Sequence, residues 1–292
     1  MRHPRSDVGA FLCLLLMLCA AALPAAQAPA TTPGAPQASS CAEMEVFLRT
    51  AKEVRRRELP VGVTVPVRLT LDNGSVRHDA AVQTVDVKKT TFETTMGVEL
   101  NFRDAWQFNV AGYELAKLLN LNMVPPYIER TISGKPASVS WWVDDAMMER
   151  ERFQKKIRPP DTDDWNRQMH AVRVFNELIA NTDANMTNML ITKDWRVWMI
   201  DFSRAFRMTR TLHRPKSLTR VDRTLLTGLR GLTEERLQQA LGRWLNKPEI
   251  QGMLARRDLI VGIFDAETAA KGEAAVLYDL RRVGEPCGSG LP

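Results

Sequence analysis

Histidine and cysteine are scarce in this 292-residue chain, and that scarcity removes several chemistries at once. The four histidines, His3, His78, His170 and His213, are dispersed along the sequence. No C-x-x-C or H-E-x-x-H string brings ligands to zinc spacing, so a zinc centre is not expected. A G-x-S-x-G nucleophile elbow and a Walker-type phosphate loop are also missing. Beyond the N-terminal segment no stretch reaches the roughly 20 apolar residues of a transmembrane helix. There is no internal repeat. Carboxylate pairs at Asp144-Asp145 and Asp163-Asp164 read as a strand end and a helix start rather than as glycosidase acids.

What is present is ordinary in bulk and uneven in detail. The chain is 45% hydrophobic and 25% charged, the balance of a globular protein. Arg2 and Arg5 precede an apolar stretch from Val8 to Leu23 that ends in small residues, the pattern of an export signal. The expected organisation is a signal peptide over 1–30 and a flexible Ala/Pro/Gln/Ser linker over 31–42. A β-rich lobe over 43–143 follows, opened by a helix over 43–58, then a mostly helical lobe over 144–283 and an irregular tail over 284–292. The expected location is periplasmic or secreted, with membrane contact only if the N-terminal segment is retained. Cys13 and Cys19 fall in the signal. In an oxidising compartment Cys41 and Cys287 would form one disulfide joining the ends; otherwise they are two free thiols.

Between Asn181 and Phe206 the pattern becomes specific. A helix carrying Met169, Val172, Phe175 and Leu178 at three- and four-residue spacing leads into a polar loop holding Asp183 and Asn188. A tight hairpin follows, with strands at Met189–Ile191 and Val197–Ile200, and it ends at Asp201-Phe202-Ser203. Helix, loop and hairpin would bring two carboxylates and an amide to one mouth. That set suits phosphoryl transfer: one carboxylate orients an attacking hydroxyl, and a carboxylate plus an amide hold Mg²⁺ on phosphates.

D-x-x-x-x-N followed by D-F-S resembles the catalytic loop and metal-binding motif of the protein-kinase-like superfamily. The likeness is to its atypical branches: phosphatidylinositol 3/4-kinases, HipA-like kinases and secretory-pathway kinases. The resemblance implies an α+β, two-lobed fold with a small β-rich lobe containing one main helix. It implies Asp183 as catalytic aspartate, and Asn188 and Asp201 as ligands of Mg²⁺ or Mn²⁺. ATP would lie between the lobes. Gly62 and Thr64 stand where a glycine-containing loop covers the phosphates, and Trp142 stands at the hinge beside the base.

One expected feature is replaced. Where the family carries a strand lysine paired with a helix glutamate, this chain has Gln83 and Asn109, two amides able to hydrogen-bond but not to neutralise phosphate. Lys88 or Lys89 is the alternative cation, with Glu93, Glu99 or Glu114 as partner. The formal charge is +6, and the segment after D-F-S is rich in arginine, including Arg204, Arg207 and Arg210. It therefore suits an anionic acceptor: protein, lipid headgroup or glycan. No recognisable nucleic-acid module accompanies it. Two functions remain open, an exported kinase-like phosphotransferase and a pseudokinase interaction module with altered or absent nucleotide binding.

Overall fold

Ser40 starts the first helix with a capping box: its hydroxyl accepts from Glu43 N at 3.3 Å, and Glu43 Oε2 accepts from Ser40 N at 2.8 Å. The structure, a computed structural model, describes residues 40–58, 67–94 and 97–282, which lie in one compact unit, Ala38–Pro292. The export signal, Gly62, Thr64 and Cys287 lie outside the described residues. Cys41 is disulfide-bonded, to a cysteine that also lies outside them.

Helix α1 (Cys41–Thr50) is shorter than the expected 43–58 span, because strand β1 (Lys52–Glu58) follows it. Lys, Glu and Arg favour helices, but Arg55–Glu58 pair with β2 (Val67–Asp72) as an antiparallel edge strand. All of β1 is exposed, so no alternating apolar pattern announced it. Asn73-Gly74 then turns the chain into β3 (Arg77–Gln83), with Gly74 at φ +90°.

A second hairpin, β4 (Asp86–Thr94) and β5 (Gly97–Ala105), follows inside the span expected to be β-rich. It forms its own two-stranded sheet. Helix α2 (Gln107–Leu118), β6 (Tyr127–Ile132) and β7 (Lys135–Trp141) complete the small lobe. The main sheet runs β1-β2-β3-β7-β6. One face buries Leu69, Leu71, Ala80, Val82, Ile128 and Val139 against Phe47 and Leu48 of α1. Strand alternation turns Arg68, Thr70, Asp79, Ala81, Gln83, Ser138 and Ser140 to the other face.

The larger lobe begins with β8 (Met147–Met148) and α3 (Glu149–Gln154). Helix α4 (Thr162–Leu178) is capped by Asp161, and β9 (Met189–Ile191) and β10 (Val197–Met199) form the hairpin read from the sequence. Strand β11 (Val221–Asp222), α5 (Arg223–Arg230), α6 (Glu234–Leu241), α7 (Lys247–Lys271), α8 (Glu273–Val276) and β12 (Leu277–Tyr278) follow. Helix α2 shares the large lobe's core: Phe108, Ala111, Tyr113 and Leu115 pack in one cluster with Phe175, Phe202 and Leu229.

Arg256 of α7 is fully buried. Its Nε donates to Leu178 O at 2.9 Å and its Nη1 to Arg207 O at 2.8 Å and to Thr209 O. Burial lowers its pKa to about 10, with Glu177 opposing, so it stays charged at neutral pH. It fixes the end of α4 to the segment after D-F-S. Replacing Arg256 with Leu strands those carbonyls and should cost about 3 kcal/mol in urea unfolding. An unchanged midpoint would show that the carbonyls find other donors.

Candidate active site

Helix α4 delivers the chain to the candidate loop, and two sets of backbone bonds lace that loop to D-F-S. Thr182 N donates to Arg204 O at 3.3 Å and Ile200 N donates to Asn188 O at 3.0 Å. These contacts bracket Asp183 and Asp201 between two tied ends. Asn188 Nδ2 donates to Asp183 O at 3.0 Å, and Asn188 Oδ1 accepts a long bond from the Thr187 hydroxyl at 3.5 Å. The Asp183 carboxylate accepts from Asn185 Nδ2 at 3.1 Å, and Asp183 N donates to Asn181 Oδ1 at 3.0 Å.

Asp201 has φ +57°, a left-handed conformation that costs a non-glycine residue roughly 1–2 kcal/mol. Its neighbours hold it there. Asp201 N donates to the Tyr127 hydroxyl oxygen at 3.4 Å, and Ser203 N donates to Asp201 Oδ1 at 3.3 Å. Ala105 N donates to Ser203 O at 2.8 Å. Burial, with the charge of Asp201, pushes the Tyr127 phenol upward, so it stays protonated. Asp104 at the end of β5 is raised first by burial and further by Asp201, against a hydrogen bond from Ser203 and the charges of Arg204 and Arg207.

Gln83 and Asn109 meet. Asn109 Nδ2 donates to Gln83 Oε1 and, at 3.1 Å, to Ser138 Oγ. Its Oδ1 also accepts from Phe202 N at 2.6 Å. Asn109 is fully buried, so one amide joins β3, β7 and α2 to the D-F-S segment. The Phe202 ring seals the same junction: a Cβ on Gly112 would lie 2.6 Å from Phe202 Cδ2, so only glycine admits the ring. Phe175 meets that ring edge-on at 5.7 Å. The sequence register pointed to the Gln83–Asn109 pair but gave no sign of the Phe202 bond.

The other candidate residues are more scattered. Lys88 is exposed, with Asp86 at 4.0 Å, and it lines a cleft of about 1500 Å³ beneath the β4–β5 hairpin. That cleft is also lined by Asn185, Asn188 and Phe202. Trp142 lies under the Arg68 guanidinium, 4.0 Å from its ring centre. Arg68 is itself bonded to Asp79 Oδ2 at 2.6 Å. Arg204 and Arg207 both approach Glu99 of β5, at 3.8 and 2.7 Å, while Arg210 is exposed. Of the alternative partners for a lysine, Glu99 serves these arginines and Glu114 serves Lys117 at 3.0 Å. Sequence reasoning assigned Glu99 to a lysine rather than to these arginines, and it missed Arg103, which bonds Glu249 of α7 and so ties the hairpin to the large lobe.

Among the described residues no three His, Cys, Asp or Glu side chains cluster as a metal cage. Asp201 with the Asn188 carbonyl is instead a sparse oxygen donor set, which fits Mg²⁺ or Mn²⁺ that keeps waters and takes phosphate oxygens.

No family model matches the chain, and no curated protein matches it. Solved structures do. A hydra Fam20 structure with sugar aligns with TM-score 0.56 at 11% identity, covering 80% of this chain and 90% of that one. A Golgi casein kinase aligns with TM-score 0.57 at 12% identity, covering 82% and 78%. The Helicobacter pylori proinflammatory kinase CtkA aligns with TM-score 0.46 at 10% identity, covering 76% and 96%. The fold is that of the atypical protein-kinase-like proteins: a β-rich lobe with one main helix, and a helical lobe.

The amide bridge makes a double-mutant prediction. Asn109→Asp buries an unpaired charge and should cost about 3 kcal/mol in urea unfolding, while Gln83→Lys sets an unpaired cation at a half-buried position and should cost about 1 kcal/mol. Together they rebuild an ion pair, so the double variant should recover at least half of the summed loss. Additive losses would mean that the two side chains do not meet.

Proposed function

We propose that this chain is an exported, atypical kinase-like phosphotransferase. It binds ATP with Mg²⁺ or Mn²⁺ and transfers the γ-phosphoryl group to a hydroxyl of an anionic acceptor. The carrying observation is the lacing of the Asp183–Asn188 loop to Asp201 through Thr182–Arg204 and Asn188–Ile200. In this reading Asp183 orients the acceptor hydroxyl and takes its proton. Asn188, its amide nitrogen held by Asp183 O, and Asp201, held left-handed by its neighbours, grip the metal. The metal neutralises the phosphates and aligns them when bound.

Gln83 and Trp142 would sit at the phosphate and base ends of the nucleotide, and Gly62 and Thr64 above it. Asn109 acts through Phe202 as a positioning residue. Lys88 stands on the rim of the cleft, beside Lys89. Arg210, exposed and next to that cleft's Thr209, would meet the acceptor; Arg204 and Arg207 would meet it only beside Glu99. Export is supported by the apolar N-terminal stretch and by the disulfide-bonded state of Cys41, and it fits a fold shared with a Golgi casein kinase.

A pseudokinase is the second reading, and one observation favours it. The cation that would hold phosphate from β3 is an amide committed to Asn109.

Thermal unfolding separates the two. ATP with Mg²⁺ or Mn²⁺ should raise the midpoint of the wild type, and Asp201→Ala should lose the metal-dependent part. Asp183→Ala should keep the midpoint rise and lose γ-phosphate turnover. No rise at millimolar nucleotide in the wild type selects the pseudokinase; equal turnover by both variants and wild type removes the mechanism.

A further inference from the structure

The β4–β5 hairpin brings cations to the same cleft as the candidate catalytic loop. Lys89 pairs with Phe102 across the hairpin, on the same side as that buried ring, and its own side chain is exposed to the cleft. The Lys89 ammonium lies 4.9 Å over the Phe92 ring and pairs with no carboxylate among the described residues. Across the cleft stand Arg204 and Arg207, their guanidinium groups 5.1 and 5.2 Å from the Phe102 ring centre. One carboxylate, Glu99, serves both arginines. The Nε–H groups of Arg204 and Arg103 are buried and find no acceptor among the described residues, and Asp104 Oδ1 is a buried acceptor without a donor there.

Lys89, Arg204 and Arg207 therefore line one cleft, where Glu99 holds both arginines and the Asp104 carboxylate acts on them, with buried donors left over. A buried N–H without an acceptor costs about 1–3 kcal/mol, which an oxyanion would recover through charge-assisted bonds. The site adjoins Thr182, Asn185 and Asn188, which line the same cleft.

We propose that Lys89, Arg204 and Arg207 form an oxyanion site that takes a phosphoryl group, supplying from an inserted hairpin the positive charge that the Gln83–Asn109 pair cannot. Placed on the phosphotransferase reading above, the group is a nucleotide phosphate or a phosphate carried by the acceptor; the chemistry recognised is the same. Arg204 and Arg207 are also bound to Glu99, whereas Lys89 has no carboxylate to strand, so Lys89 is the residue to change.

The test compares wild type, Lys89→Met and, as a control outside the cleft, Lys271→Met at the end of α7 by thermal midpoint against inorganic phosphate, pyrophosphate, Mg²⁺–ATP and adenosine, with chloride holding ionic strength constant. Phosphate or pyrophosphate should stabilise the wild type, Lys89→Met should weaken that binding about tenfold, and Lys271→Met should leave it within about twofold. Adenosine should bind all three equally or not at all. If Mg²⁺–ATP weakens in parallel, the site serves the nucleotide. If phosphate weakens and Mg²⁺–ATP does not, it serves the acceptor.

Phosphate and Mg²⁺–ATP binding unchanged in Lys89→Met overturns the site while leaving the phosphotransferase reading intact. Lys89-dependent phosphate binding in a wild type that ignores Mg²⁺–ATP keeps the site and removes that reading.

Discussion

A single buried amide carries the arrangement. Asn109 donates to Gln83 and Ser138 and accepts from Phe202 N, so β3, β7, α2 and the D-F-S segment share one side chain. The interior makes each of these bonds expensive to break, because a stranded donor or acceptor there cannot turn to water. The ring of Phe202 against Gly112 adds a packing constraint at the same place. Together they fix α2 against the segment that presents Asp201. An ion pair between strand and helix is free to open because water solvates its ends well. A three-way amide junction inside a core has no such outlet, so the D-F-S segment is held in place.

The rest of the large lobe reinforces that segment from behind. Arg256 ties residues 207 and 209 to the end of α4, and Glu177 accepts from His213 N and Arg214 N at 2.8 and 2.9 Å. Gly252 lets α7 approach closely, since a Cβ there would lie 2.8 Å from Met208 O. The arginine-rich stretch that reads as a free basic surface is thus partly internal. Arg204 and Arg207 hold the hairpin through Glu99, and Arg103 reaches α7 through Glu249. A run of like charges in a sequence gives no notice of which members the fold will consume.

The parts that were legible share a physical cause. The hairpin around Asn73-Gly74, the helix before the candidate loop and the β9–β10 return carry local signals: a turn dipeptide, a 3.6-residue period and short apolar runs. The Gln83–Asn109 meeting was legible by register once the fold was suspected. The parts that were not legible depend on distant pairing. Strand β1 reads as helix because it is an edge with no buried face. Strands β4 and β5 give no clear local signal because Lys88, Lys89, Thr90 and Thr91 show no apolar alternation; the Phe92 and Phe102 rings stack 4.1 Å apart, and the other ties come from distant arginines and Glu249. The bond from Phe202 N to Asn109 spans 93 residues and leaves no mark in either local stretch.

The most direct test of the central claim is a calorimetric titration of Mg²⁺–ATP into wild type and Asn109→Leu, each first checked for a folded circular-dichroism spectrum. Leucine keeps the branched shape of Asn109, with somewhat greater bulk, and removes all of its side-chain hydrogen bonds. The account predicts saturable heat in the wild type and at least a tenfold weaker response in the folded variant, through loss of Asp201 placement. Equal binding by both proteins would contradict the positioning role of the amide, and no binding by the wild type would contradict the nucleotide site.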